Sequence, residues 1–221
     1  MVLVIIKYTA LALAFLIAII GHEIMHGLVA KYYGDDTASK EGRLSINPLK
    51  HIDPFGSIVF PLVLFLSQKL AGVESPIVFG WAKPVPVNVF KVVERGGYIG
   101  AFNVSIAGVA YNLVIALIAS SLLGFFADPS GIVSAFLYML MLYLVVVNVI
   151  LAVFNMFPIP PLDGANAVKY LALQFKWYEI AKFYNKIEPY GMIILMIVLF
   201  TPISDYLFYP AHLLIYKLIG Y

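Results

Sequence analysis

The sequence has no cysteine and little charge: Asp, Glu, Lys and Arg make up 12% of its 221 residues, where ordinary soluble domains carry about a quarter. The missing thiols exclude disulfide frameworks, thiolate metal centres, iron–sulfur clusters and cysteine nucleophiles, so any metal must be held by His and carboxylate. The missing charge, set beside 62% hydrophobic residues, excludes a soluble globular protein. Fourteen Lys and Arg against twelve Asp and Glu leave +2. With no basic field, nucleic acid is not an expected partner. The remaining solvent is the lipid bilayer.

Charge-free windows run over 8–21, 54–68, 96–127, 129–162 and 189–204. The third and fourth are long enough to span, since about 20 apolar residues cover the hydrocarbon. The first reads as one helix over 3–30, because Lys7 can snorkel to a surface. It lacks a basic start and runs straight into ionisable residues, which reads as a retained helix rather than a cleaved signal. The second, 55–70, is short and carries Pro61, so it crosses thinly, kinks or re-enters. The fifth starts near Tyr190 and meets Pro202 and Asp205, so 189–221 either completes a crossing or lies along the interface. The expected architecture is a single all-α polytopic membrane domain over 1–221. It has about five transmembrane helices and a short extended or β element between the second and third. The expected segments are 3–30, 31–96, 97–126, 131–157, 158–188 and 189–221.

Late in the first helix comes Gly21-His22-Glu23-Ile24-Met25-His26, a match to HExxH. Residues i and i+4 share a helix face, so His22 and His26 can both aim a ring nitrogen at one ion. Glu23 is turned by about 100° from His22, too far to be a natural third ligand but placed to meet water on the ion's open side. There it can take a proton and pass it to the leaving amine. The competing reading is a chance match on a solvated helix face. In an apolar helix, however, three ionisable residues in five are costly unless paired or metal-bound, which favours a site.

A catalytic zinc takes three protein ligands and keeps one position open. Asp163 follows the fourth window in Asn155-Met156-Phe157-Pro158-Ile159-Pro160-Pro161-Leu162-Asp163-Gly164. The prolines break the helix and Gly164 lets backbone approach closely, so the carboxylate could reach the ion. Equally, Asp163 fits as the cap of a helix starting at Ala165.

The two motifs together resemble the site-2 protease family of intramembrane zinc metalloproteases. That resemblance implies two His ligands, a Glu base and an Asp ligand, at His22, His26, Glu23 and Asp163, around one Zn²⁺. A further family motif, Gly-x-x-x-Asn, is similar to Gly108-Val109-Ala110-Tyr111-Asn112, and implies that Asn112 holds the substrate or the developing oxyanion. The stretches 47–54 and 79–88 resemble a prokaryotic branch of the same family. Val109 and Ala165 stand where the family often has Pro and Gly.

If the first four windows all crossed, Asp163 would emerge opposite the His26 end of the first helix. An even number of passages is therefore required between Ala30 and Gly97. One solution has 55–70 dipping in and 77–89 returning as an extended strand, confined to an edge by Pro84 and Pro86. Lys31, Lys40, Arg43, Lys50, Lys91, Arg95, Lys169, Lys176, Lys182 and Lys186 then share one side, which the positive-inside rule makes cytoplasmic. A substrate helix must unwind before its scissile carbonyl is accessible, and an edge strand built from Trp81, Val85 and Val87 could pair with the unwound stretch. The alternative is a loop that seals water from lipid.

The expected function is zinc-dependent hydrolysis of peptide bonds in or near transmembrane segments, as in regulated intramembrane proteolysis. The expected location is a prokaryotic cell membrane, and the expected partners are a membrane protein or peptide substrate and the bilayer. A catalytically silent scaffold and a metal or proton transporter are the alternatives. His51 and Asp53 are read as turn-forming, and Asn148 and Asn155 as bonding neighbouring helices or broken backbone, with Asn155 a secondary site candidate.

Overall fold

Along the first helix, small or apolar residues recur every fourth position: Ile6, Ala10, Ala14, Ala18, then His22, His26 and Ala30. This spacing puts successive members on one stripe, which winds slowly round the helix because four residues overshoot a turn by about 40°. In the computed structural model, which describes residues 1–74, 80–128 and 130–220, that stripe is the packed face of helix α1 (Val2–Tyr32). Ala10, Ala14 and Ala18 are fully buried against Ala116 and Ala119 of α4 (Val89–Leu123) and Leu140, Leu144 and Val145 of α5 (Ile132–Asn155). Small residues let the backbones close up, which is how helices associate where lipid offers no hydrophobic driving force. The two His of the motif continue this winding stripe and meet Gly108, Asn112 and Val104 of α4.

These three helices are long and apolar enough to cross a membrane. A fourth crossing is reached if the pair 178–199 and 203–219, bent by 80°, is one span. Against the expected five, the described residues hold three or four helices with the length and composition to cross. The difference lies at 54–70, where a π-helical turn (Pro54–Val59) leads into α3 (Phe60–Leu70). At 1.5 Å per residue it reaches about 25 Å, short of the roughly 30 Å hydrocarbon. No residue of α3 is buried. Among the described residues between α1 and α4 no helix is long and apolar enough to cross fully, which agrees with the even passage count expected from the ligands.

No β-strand forms among the described residues. Residues 80–88 form neither helix nor strand, and Pro84 and Pro86 have no N–H to give a ladder. The part of the expected strand at 77–79 lies outside the described residues. The segment is held along one edge, by alternate residues. Trp81 N–H donates to Gly56 O (3.1 Å) and Lys83 N–H to His51 O (2.9 Å). Arg43 Nη2 donates to Lys83 O (2.7 Å) and Ser57 Oγ to Trp81 O (2.8 Å). The segment ends at buried Asp35, whose carboxylate accepts from Asn88 N–H (2.6 Å) and from Thr37 N–H at the start of α2 (Thr37–Lys40). Next to it, salt bridges to Lys40 and Lys91 hold the Asp36 carboxyl down at about 2.

Helix α4 breaks at Gly97, whose φ of 62° and ψ of −166° are open to glycine. Beyond α5, the proline-rich turn leads into α6 (Asp163–Gln174), α7 (Tyr178–Ile187), α8 (Gly191–Leu199) and α9 (Ile203–Ile219). Tyr184 OH donates to Pro158 O (3.3 Å) and Lys169 pairs with Glu188 (3.0 Å), fastening α6 and α7 beneath the turn.

Candidate metal centre

His22 and His26 lie on α1 about ten and six residues from its C-terminal end, so the centre sits roughly 9 to 15 Å along the helix from that end. Opposite them on α4 is Gly108, where a Cβ would come within 2.5 Å of both rings. Only a glycine lets α4 pass here. The turn before α6 is equally tight, since a Cβ on Gly164 would sit 2.2 Å from Met156 O. These two close approaches bring the acid to the imidazoles. Asp163 Oδ2 lies 3.1 Å from His22 Nε2 and 3.2 Å from His26 Nε2, and the two Nε2 atoms are 3.1 Å apart. Asp163 makes no capping bond on α6, whose N-cap is Leu162, so the capping alternative is set aside.

Hydrogen bonding determines which ring nitrogens carry protons. Leu144 O can only accept, so Asn148 Nδ2 donates to it (2.8 Å), and Asn148 Oδ1 then accepts from Asn112 Nδ2 (2.8 Å). Asn112 Nδ2 also donates to Ala18 O (3.2 Å), which leaves Asn112 Oδ1 to accept from His22 Nδ1–H (2.6 Å). His26 Nδ1–H donates to Val104 O (2.7 Å). In their neutral forms both imidazoles therefore turn bare Nε2 lone pairs toward each other and toward Asp163 Oδ2, which is buried without a hydrogen-bond partner. Three acceptors facing one point need a cation between them.

The fit to a metal follows from the same distances. With bonds of about 2 Å, edges of 3.1 to 3.2 Å subtend about 100° at an ion, close to tetrahedral, and leave a fourth direction open. His22, His26 and Asp163 form a group able to hold a metal ion, and two imidazoles with a carboxylate suit zinc.

Glu23 is outside this triangle and, with His22, His26 and Asp163, lines a cavity of about 440 Å³. Its Oε2 accepts Val85 N–H at 2.8 Å. The residues of the expected edge strand also make contacts within the protein. Val85 buries its side chain and gives its amide to Glu23, Trp81 gives its own to Gly56, and the Trp81 ring packs on Phe55 and Phe60. Val87 lines the cavity.

Asn112 lies behind the His22 ring. It is 0% exposed, both ends of its amide are bonded, to His22, Ala18 and Asn148, and it is not among the residues that line the cavity. Asn148 bonds neighbouring helices, as read from the sequence, but in doing so anchors the donor chain that sets the His22 tautomer. Asn155 donates to Leu151 O and lines the cavity. His51 and Asp53 form turns, through Ser45 O and Gly56 N–H, away from the centre. The Val104 carbonyl and the Val85 amide were not legible, because main-chain groups leave no mark in a sequence. Replacing Asn148 by Leu frees the Asn112 amide to turn and leaves polar groups unpaired. Zinc affinity, read by chelator competition, is expected to fall about 10- to 100-fold.

A two-imidazole, one-carboxylate centre with a glutamate beside it, sunk among packed membrane helices, defines a membrane metalloprotease. The chain is 34% identical over 206 residues to the protein named "Putative zinc metalloprotease YwhC" of Bacillus subtilis, spanning 90% of this chain and 84% of that one. It is 29% identical over 181 residues to "Putative zinc metalloprotease Rip2" of Mycolicibacterium smegmatis, and 28% over 154 residues to its Mycobacterium tuberculosis namesake. It spans 62% and 54% of those two proteins. No protein-family model and no solved structure matches it. The chain belongs to the site-2 protease family of zinc metalloproteases.

Proposed function

We propose that the protein is an intramembrane zinc endopeptidase that hydrolyses peptide bonds in or near transmembrane segments of membrane protein substrates. The observation that carries this reading is the triangle of three unprotonated acceptors next to Glu23 and an apolar cavity. His22, His26 and Asp163 hold the metal. When bound, zinc supplies Lewis acidity, which polarises a carbonyl and acidifies water. Glu23, steadied through Oε2 by Val85, takes the proton from the attacking water on its other oxygen and delivers it to the departing amide nitrogen. Asn112 and Val104 accept from the two Nδ1–H groups, which leaves Nε2 of each imidazole directed at the metal position.

The substrate presents an unwound stretch to segment 80–88. Residues 81, 83 and 85 use one edge internally, so the other belongs to Ala82, Pro84 and Pro86. That edge carries carbonyls and, because of the prolines, a single N–H. It accepts hydrogen bonds from a substrate strand and gives almost none. The ten basic residues named above favour a cytoplasmic position for the centre in a prokaryotic membrane.

Purified protein should contain one zinc per chain and cleave a labelled membrane helix in detergent or vesicles. Chelation is expected to stop cleavage and added Zn²⁺ to restore it. Metal-bound protein without cleavage would indicate a scaffold, and ion flux across sealed vesicles a transporter; either result overturns the reading.

A further inference from the structure

Helix α6 does more than deliver Asp163. Asp163, Asn166 and Tyr170 stand at i, i+3 and i+7, on one face of the helix, and all three line the cavity beside the centre. The other hydroxyl and carboxamide side chains along that cavity each make a hydrogen bond within the protein. Ser105 Oγ donates to Ala101 O, Asn155 Nδ2 to Leu151 O, and Glu23 accepts from Val85. The Asn166 carboxamide and the Tyr170 hydroxyl make no hydrogen bond to any described residue. The Tyr170 ring packs against the cluster of Ala30, Val92, Ala101 and Val104, with Lys169 Nζ 5.6 Å from its centroid.

The rest of the wall is apolar, with Val92, Val104, Leu151, Phe154 and Leu195. Donors left open on an apolar wall are stabilised only when a ligand or water meets them. An unwound peptide stretch has two needs, partners for its N–H groups and partners for its carbonyls. The outer edge of 80–88 answers the first with its carbonyls and, at Pro84 and Pro86, cannot answer the second.

We infer that Asn166 and Tyr170 are substrate-binding residues. Through Nδ2 and the phenolic O–H they donate to the backbone carbonyls of an extended, apolar peptide stretch, whose own amides face the carbonyls of 82, 84 and 86. The inference rests on the endopeptidase reading and adds to it the donor half of substrate recognition. It also specifies what is recognised: free main-chain carbonyls flanked by apolar side chains, as in a membrane helix that has locally unwound.

The test uses the full chain, zinc-loaded and carrying Glu23→Gln so that binding is seen without turnover, with a fluorescent membrane-helix peptide containing a Gly-rich, weakly helical apolar stretch. Tyr170→Phe removes one oxygen atom and keeps the packed ring. Asn166→Leu removes the amide. Each is expected to weaken peptide binding about 5- to 10-fold, the size of a neutral hydrogen bond. In the active protein the loss falls on KM rather than kcat. Zinc affinity stays at the parental value, which a general disturbance of the fold would not allow. Unchanged peptide affinity in both variants, with the parent binding and cleaving normally, overturns the inference and leaves the endopeptidase reading standing. A parent that neither binds nor cleaves the peptide overturns both.

Discussion

Glu23→Gln is expected to lower peptide cleavage by about a thousandfold while one zinc per chain stays bound, the range seen when a positioned proton-transfer group is removed. The substitution isolates chemistry from structure because Gln keeps the carbonyl oxygen that accepts Val85 N–H, so the side chain retains its place. What disappears is the ability to take a proton from water and return it to the leaving nitrogen. Glu23 is not part of the metal triangle, so zinc content measured on purified protein should match the parent. Retained cleavage would remove Glu23 from the mechanism. Loss of zinc would make it a ligand instead.

Asp163→Ala should have the larger effect on the metal. It leaves two Nε2 atoms 3.1 Å apart with no acid to complete the triangle. Changes to outer groups already cost about 10- to 100-fold in affinity, so losing a ligand should exceed about 100-fold. The site should then be empty at zinc concentrations that saturate the parent, and cleavage should cease with it. The fold is expected to survive, because Asp163 does not cap α6 and the α1, α4 and α5 core is built elsewhere. Zinc retained at parental affinity would return Asp163 to a structural role.

The imidazole pair was legible because a helix repeats every 3.6 residues, so four positions apart means one face, and on α1 that face continues the alanine stripe. Family membership was legible from the same motif together with the downstream Asp-Gly. The span count was not, since charge-free length does not distinguish a crossing from a short helix such as α3, which stops after 11 residues. Neither was the place of Asn112. A motif position says that an amide matters near the centre, but not whether it faces the cavity or the ring behind it. The roles of Asn166 and Tyr170 were hidden for another reason: their spacing on α6 is ordinary, and only the cavity in front of them makes it meaningful.

By itself the sequence determined what is local and periodic: apolar helices for a bilayer, two imidazoles on one helix face, and a proline-broken turn before an acid. Tertiary structure alone decided what those pieces meet. The acid comes from 137 residues beyond His26, the ring tautomers depend on carbonyls of other helices, and the base is steadied by an amide from a loop. Long-range contacts depend on how separate segments pack in three dimensions, and a one-dimensional pattern records the spacing within a segment, not the distance between two of them.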